Sequence, residues 1–168
     1  MASGTLISVE EYLSKTYKPA CDYIDGVLRQ KPMPTRKHGR VQTVLGRLID
    51  AGFSDFEAES EVTVKIRTGK YYVPDLIVQR RDRIQDPYPS EPVHLCVEIK
   101  SPEDRISELF AKCEDYLEWG VESTWIIDPE SRHAWEYRRD GLPEEVPPDG
   151  ALTAGEISIS LVDVFSVL

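Results

Sequence analysis

Cysteine is scarce in this sequence, and long apolar runs are lacking. The three cysteines lie far apart and form no Cys-x-x-Cys pair, which argues against a disulfide framework and against a zinc cluster. The first residues contain no basic segment followed by an apolar stretch, and no run of about 18 apolar residues occurs anywhere. We therefore expect a protein of the reducing cytoplasm, neither secreted nor membrane-spanning.

Basic residues are also fewer than acidic residues. The 20 basic residues are outnumbered by 30 acidic ones, giving a net charge of −10 and a pI near 4.8. Simple nucleic-acid binders carry an overall basic surface, so this composition argues against that class. One segment differs, because residues 27–49 contain no acid. It is either a local phosphate-contacting surface or a solvated loop and helix face. Its basic residues are Arg29, Lys31, Arg36, Lys37, Arg40 and Arg47.

The apolar pattern predicts one α/β domain over residues 1–168, with a central mixed β-sheet flanked by helices and with an N-terminal helix and hairpin. A capping box at Ser8 begins the first helix, and Asp25-Gly26 forms the hairpin turn. Apolar spacing predicts helices from His38 to Gly52 and from Pro102 to Gly120. Strands are predicted at 57–66, 71–78, 93–99, 123–128, 133–138 and, after a loose segment rich in proline and glycine, at 157–161.

Two acidic residues and a lysine stand at the ends of neighbouring predicted strands. Asp75 follows Val73-Pro74 at the start of one strand, and Glu98 and Lys100 come at the end of the next. Because side chains alternate along a strand, Glu98 and Lys100 should share a face, about 6 to 7 Å apart. If the two strands are neighbours, the carboxylates of Asp75 and Glu98 converge and Lys100 lies beside them.

Such a pair of carboxylates suits Mg²⁺ or Mn²⁺, with the main-chain carbonyl of Ile99 as a further candidate ligand. Phosphodiester hydrolysis needs a metal that polarises the phosphoryl oxygens and lowers the pKa of the attacking water, and a cation that offsets the charge of the transition state. We predict Asp75 and Glu98 as metal ligands and Lys100 as the catalytic cation. The alternative is a simple ion pair between Glu98 and Lys100.

Pro74-Asp75 and Glu98-Ile99-Lys100, in this order, resemble the PD-(D/E)XK nuclease superfamily. The flanking sequence is similar to one bacterial branch, the Uma-two family of restriction-endonuclease-like proteins, over nearly the whole chain. The similarity rests on Tyr23-Ile24-Asp25-Gly26, His38, Glu59, Val73-Pro74-Asp75, Glu98 through Pro102, Lys112, Tyr116, Gly120-Val121, Trp125 through Pro129 and the Val-Asp-Val-Phe near the C-terminus.

The resemblance implies a restriction-endonuclease-like core of helix, three strands, helix and strand, with DNA as substrate and a homodimeric assembly. The superfamily often places a glutamate on the first core helix, but none occurs between His38 and Ile49. Glu59 or Asp25 would therefore have to support the metal. Candidates for support or DNA contact are Asp25, His38, Arg40, Lys112 and Tyr116, for which surface, capping or packing roles are the alternatives.

The function predicted first is that of a metal-dependent endonuclease acting on DNA. A catalytically inactive DNA-binding or regulatory module on the same fold is the alternative, motivated by the acidic charge and the missing helix glutamate. A metal-dependent hydrolase of another phosphodiester or of a nucleotide is the third.

Overall fold

A six-stranded mixed sheet and a four-stranded antiparallel sheet organise the computed structural model, which describes residues 5–168. The helices are α1 (Val9–Leu13), α2 (Arg36–Gly52), α3 (Ile106–Trp119) and α4 (Leu161–Phe165). The strands are β1 (Cys21–Ile24), β2 (Val27–Gln30), β3 (Phe56–Ser60), β4 (Val64–Arg67), β5 (Lys70–Tyr72), β6 (Leu76–Arg80), β7 (Leu95–Ile99), β8 (Ser123–Asp128), β9 (His133–Arg138), β10 (Glu144–Glu145), β11 (Ala151–Ala154) and β12 (Ile157–Ser160).

The large sheet has the order β10-β9-β8-β7-β6-β3, and the small one β2-β1-β5-β4. Strands β7 and β8 are parallel, and α3 provides the crossover that a parallel pair requires. Strands β11 and β12 form a separate hairpin. The predicted central mixed sheet flanked by helices is therefore confirmed, as are the N-terminal helix and hairpin.

Alternation along the central strands divides the core into two layers. Leu95, Val97 and Ile99 of β7 face α2, α4 and the β11–β12 hairpin. Cys96, on the opposite face, packs beneath α3. Glu98 shares that face with Cys96, because residues two apart on a strand point the same way. The sheet thus presents a carboxylate to the underside of α3.

Two predicted strands are each divided between the two sheets. Residues 57–66 form β3 and β4, which separate at Glu61, a residue with left-handed backbone (φ 54°). Residues 71–78 form β5 and β6, which separate at Pro74, a residue without an N–H for a strand ladder. The chain therefore makes two direct strand-to-strand crossings between the sheets, and the second of these carries Asp75.

The start of α3 and the segment predicted as loose also differ from prediction. Helix α3 begins at Ile106 rather than at Pro102, because Ser101 and Asp104 close a turn: Asp104 N–H donates to the Ser101 carbonyl, and Ser101 N–H donates to the Asp104 carboxylate. The segment predicted as loose contains β10 and β11. No helix among residues 5–168 is long and apolar enough to cross a membrane.

Candidate active site

A cleft of about 1250 Å³ opens where the two sheets meet. Its lining includes Asp22 of β1, Asp75 at the second crossing, Glu98 of β7 and Lys112 of α3. The two carboxylates predicted as metal ligands therefore face one cavity. Each of these two residues is only 2% exposed.

Asp75 is held by groups from three different parts of the chain. Its Oδ1 lies 2.6 Å from Lys31 Nζ and 3.2 Å from His38 Nε2. Its Oδ2 accepts a hydrogen bond of 2.6 Å from the Ile99 N–H, and its main-chain carbonyl accepts one of 2.6 Å from the Gln42 side chain. The bond from Ile99 ties Asp75 to the end of β7, next to Glu98.

Burial alone would raise the pKa of the Asp75 carboxyl. The Lys31 ammonium and the hydrogen bond from His38 outweigh burial and hold this pKa well below its usual range. Burial likewise disfavours the charged form of Lys31, but the carboxylates of Asp75 and Glu98 outweigh it and raise the Lys31 pKa. Asp75 and Lys31 are therefore both charged at neutral pH.

Glu98 takes its partners from α3. Its Oε1 accepts a hydrogen bond of 2.6 Å from the Tyr116 hydroxyl and lies 3.0 Å from Lys112 Nζ. Within residues 5–168, the donors to this carboxylate all go to Oε1. Burial raises the pKa of Glu98 by more than the Lys112 and Lys31 ammonium groups lower it. Glu98 thus keeps one oxygen without a donor from the described chain.

Lys112 bridges the two sheets. Its Nζ lies 2.9 Å from Asp22 Oδ2 and 3.0 Å from Glu98 Oε1, and 5.1 Å from the centre of the Tyr72 ring. Asp22 is itself fixed, because its Oδ1 accepts a hydrogen bond of 2.7 Å from the Val73 N–H. Burial disfavours the ammonium, but the carboxylates of Asp22 and Glu98 outweigh it and raise the Lys112 pKa. Lys112 therefore remains a cation inside the cleft.

His38 lies in the first turn of α2 and is 4% exposed. It does not cap the helix, since the Thr35 hydroxyl accepts the His38 N–H. Its Nε2 contacts Asp75, while its buried Nδ1 has no hydrogen-bond partner among residues 5–168. The imidazole therefore orients Asp75 from the α2 side.

Lys100 forms no ion pair with the two carboxylates, those of Asp75 and Glu98. Strand β7 ends at Ile99, and the Lys100 side chain reaches the Ser101 carbonyl at 3.3 Å. The Lys100 backbone still pairs with β8, since its N–H donates to the Ile127 carbonyl at 2.7 Å.

Three other candidates lie away from the two carboxylates. Glu59 accepts a hydrogen bond from Gln79 at 2.9 Å, and Asp25 pairs with Arg67 at 3.0 Å on the exposed hairpin turn. Arg40 is half-buried on α2 and does not line the cleft. The structure therefore brings Lys112 and Tyr116 to the site, but not Glu59, Asp25 or Arg40.

Comparison with protein families decides the assignment. The Uma2 model, described as "Putative restriction endonuclease", matches residues 9–164. The chain belongs to the Uma2 family. The resemblance recognised in the sequence is thereby confirmed. No curated protein matches this Uma2 chain.

A solved relative supports the Uma2 assignment at the level of structure. The chain is similar to the crystal structure of a "putative nuclease belonging to DUF820 from Anabaena variabilis ATCC 29413", at 26% identity over 95% of this chain and 98% of that chain, with a TM-score of 0.82. A DrdV–DNA complex solved by cryo-EM matches at 20% identity over 75% of this chain and 10% of that chain, but its TM-score of 0.43 supports no argument. Family and fold together indicate a nuclease-like function.

A divalent ion would find few side-chain ligands in this Uma2 chain. Among residues 5–168, no group of three or more His, Cys, Asp and Glu side chains could hold a metal ion. Mg²⁺, however, is usually bound through one or two carboxylates, with water completing the coordination. The Lys31 ammonium already places a positive charge next to Asp75, because its Nζ contacts Asp75 Oδ1 at 2.6 Å and the Val73 carbonyl at 2.7 Å. A water-rich site of this kind would take Asp75 and Glu98 as its carboxylates.

Two side chains of the site, Asp22 and Lys31, are not evident from the sequence pattern. Lys31 Nζ meets a carboxylate 44 residues further along the chain. Its place in the acid-free segment is the only signal for it. Of that segment, Arg29 and Lys31 line the cleft, whereas Lys37 pairs with Glu130 at 2.8 Å.

Proposed function

We propose that this Uma2-family chain is a Mg²⁺- or Mn²⁺-dependent endonuclease that hydrolyses phosphodiester bonds of DNA in the cleft between the two sheets. The observation that carries the proposal is the convergence of Asp75 and Glu98 on one cavity, with a lysine on each carboxylate. DNA as substrate is supported by the family description, "Putative restriction endonuclease".

Each buried residue then has a role. A metal held by Asp75 and Glu98, with the Ile99 carbonyl as a further ligand, would polarise the phosphoryl oxygens and acidify the attacking water. Lys112 offsets the charge that grows in the transition state. Lys112 takes this role in place of Lys100, because its ammonium lies 3.0 Å from Glu98 while that of Lys100 does not reach the pair.

The remaining partners keep these groups in place. Asp22 holds the Lys112 ammonium, the Tyr116 hydroxyl fixes one oxygen of Glu98, and the His38 imidazole orients Asp75. Such support matters because small displacements of catalytic groups cost large factors in rate.

The DNA backbone would be seated by cations at the cleft surface. Lys18 and Arg29 are exposed and line the cleft, and neither forms an ion pair with any residue of the range 5–168. The net charge of −10 opposes binding elsewhere on the surface. Binding should therefore weaken steeply with added salt. A homodimer, which the resemblance suggests, remains a prediction that sedimentation analysis would test.

The direct test is nicking of supercoiled plasmid by purified protein with Mg²⁺ or Mn²⁺ and with EDTA. The wild type should nick only with metal, and Asp75→Asn and Glu98→Gln should abolish nicking. Asp25→Asn is the matched control, because it removes an exposed carboxylate that does not line the cleft. Nicking by Asp75→Asn at the wild-type rate would reject the proposal.

A second candidate function is a DNA-binding or regulatory module without turnover. One observation favours it: lysines compensate both carboxylates, so the fold needs no metal to neutralise them. A gel shift of DNA without cleavage under any divalent metal would select this function.

A further inference from the structure

Lys31 occupies the position of a bound cation. Its ammonium contacts one carboxylate oxygen, Asp75 Oδ1 at 2.6 Å, and one main-chain carbonyl, that of Val73 at 2.7 Å. Carboxylate and carbonyl oxygens are the ligands that hard divalent cations take in proteins. The Lys31 side chain is 15% exposed and that of Asp75 is 3% exposed. The ammonium is therefore buried in an oxygen-lined position next to a proposed metal ligand.

We propose that Lys31 is an internal counter-ion that competes with the divalent metal for Asp75 and leaves when the metal binds. This inference rests on the proposed function, which makes Asp75 a metal ligand. Both oxygens of Asp75 are engaged, Oδ1 by Lys31 and His38, and Oδ2 by the Ile99 N–H. A metal ion bound to Oδ1 would stand close to the Lys31 ammonium, which lies 2.6 Å from that oxygen, and the repulsion between the two cations would favour departure of the ammonium.

Of the two lysines in the site, Lys31 is the one held less firmly. Lys112 contacts two carboxylates, those of Asp22 and Glu98. Lys31 contacts one carboxylate and a neutral carbonyl, and it lies in the loop after β2 rather than on a helix. Its flexible stem allows the ammonium to move while the backbone stays bonded to the Ala20 carbonyl at 2.9 Å.

The first test uses the wild-type protein and therefore does not depend on any variant folding. Lysines are acetylated with an amine-reactive ester with and without Mg²⁺, and labelling is measured by peptide mass spectrometry. Lys31 should be protected without metal and labelled several-fold faster at saturating Mg²⁺. Lys70 is the matched control, because it lines the same cleft but pairs with Asp115 at 2.8 Å and not with Asp75. Unchanged labelling of Lys31 at saturating Mg²⁺ would overturn the inference.

The second test is calorimetric titration of Mn²⁺ into the wild type, Lys31→Met and Lys70→Met. Removing a competitor that occupies Asp75 most of the time should tighten Mn²⁺ binding by about tenfold or more. Lys70→Met should bind as the wild type does. Adding Asp75→Asn to Lys31→Met should remove the gain. Equal affinity in the wild type and in folded Lys31→Met would show that Lys31 is only a structural partner.

Nicking assays on the same preparations separate this inference from the proposed function. If both proteins cleave DNA and bind Mn²⁺ equally, the competition is wrong and the nuclease proposal stands. If Lys31→Met binds Mn²⁺ more tightly and neither protein cleaves DNA, the competition stands and the nuclease proposal fails.

Discussion

The two acidic residues of the cleft are equally buried but differently held. Asp75 has both oxygens engaged and a pKa well below its usual range, because the Lys31 ammonium and the His38 imidazole outweigh burial. Glu98 receives its partners on one oxygen and has a raised pKa, because burial outweighs its lysine neighbours. Burial alone therefore does not determine the direction in which the pKa of a carboxyl group shifts; its charged and hydrogen-bonding partners contribute as well.

The origins of the partners differ as well. Those of Asp75 come from the loop after β2, from α2 and from β7. The partners of Glu98 are Lys112 and Tyr116, which lie one turn apart on α3. The Asp75 environment therefore depends on how distant elements are arranged, whereas the Glu98 environment depends on one helix docking on the sheet.

The largest effect on the difference between the two acidic residues is expected from Lys112→Met, which removes the cation next to Glu98. It leaves the buried carboxylates of Asp22 and Glu98 without their cation, which should lower the free energy of unfolding by roughly 3 kcal/mol and reduce nicking by roughly 10² or more. Urea unfolding and plasmid nicking measure the two effects. Lys37→Met, which breaks an exposed pair with Glu130, should change stability by less than about 1 kcal/mol. Equal effects in both variants would contradict the importance of the buried bridge.

A smaller effect is expected from Tyr116→Phe. The substitution removes a single hydrogen bond to Glu98 Oε1 and keeps the buried ring. Loss of this bond to a buried carboxylate should cost about 1 to 2 kcal/mol of unfolding free energy. Tyr137→Phe is the control, since its hydroxyl bonds to Glu114, which does not line the cleft. Nicking should fall in Tyr116→Phe and not in Tyr137→Phe; the reverse order would show that Glu98 needs no fixed orientation.

The smallest effect should come from Lys100→Ala. Its ammonium reaches only the Ser101 carbonyl, at 3.3 Å, so stability should change by less than about 0.5 kcal/mol. Nicking should fall far less than in Lys112→Met. A loss as large as that of Lys112→Met would restore Lys100 as the catalytic cation predicted from strand alternation.

Local signals predicted most of the fold. Ser8 caps α1 by accepting the Glu11 N–H, and Asp25-Gly26 forms the hairpin turn with left-handed backbone at both residues. These features depend on neighbours in sequence. The division of 57–66 and of 71–78 between two sheets was not predicted, because the sheet to which a strand belongs is decided by tertiary pairing.

The same limit applies to the site. The order of Asp75 and Glu98 along the chain predicts a shared site, and both residues line the same cleft. Lys31 and Asp22 were missed, because their partners lie far away in sequence. Alternation predicts Lys100 beside the carboxylates, but the ammonium of this flexible side chain bonds to the Ser101 carbonyl. The motif and its strand placement thus point to the acids and the resemblance to Lys112, while Lys31 as the partner of Asp75 required the three-dimensional arrangement.

The chain passes from one sheet to the other at 61–63 and again at 73–75, and the ion pairs Lys31–Asp75 and Lys112–Asp22 lie next to the second passage. These two ion pairs hold the two sheets together where they meet. Any rotation that widened the angle between the sheets would separate both ion pairs at once. The acids and the lysines would then become exposed to solvent together. The angle between the two sheets and the pairing of the charged groups in the cleft should therefore change together.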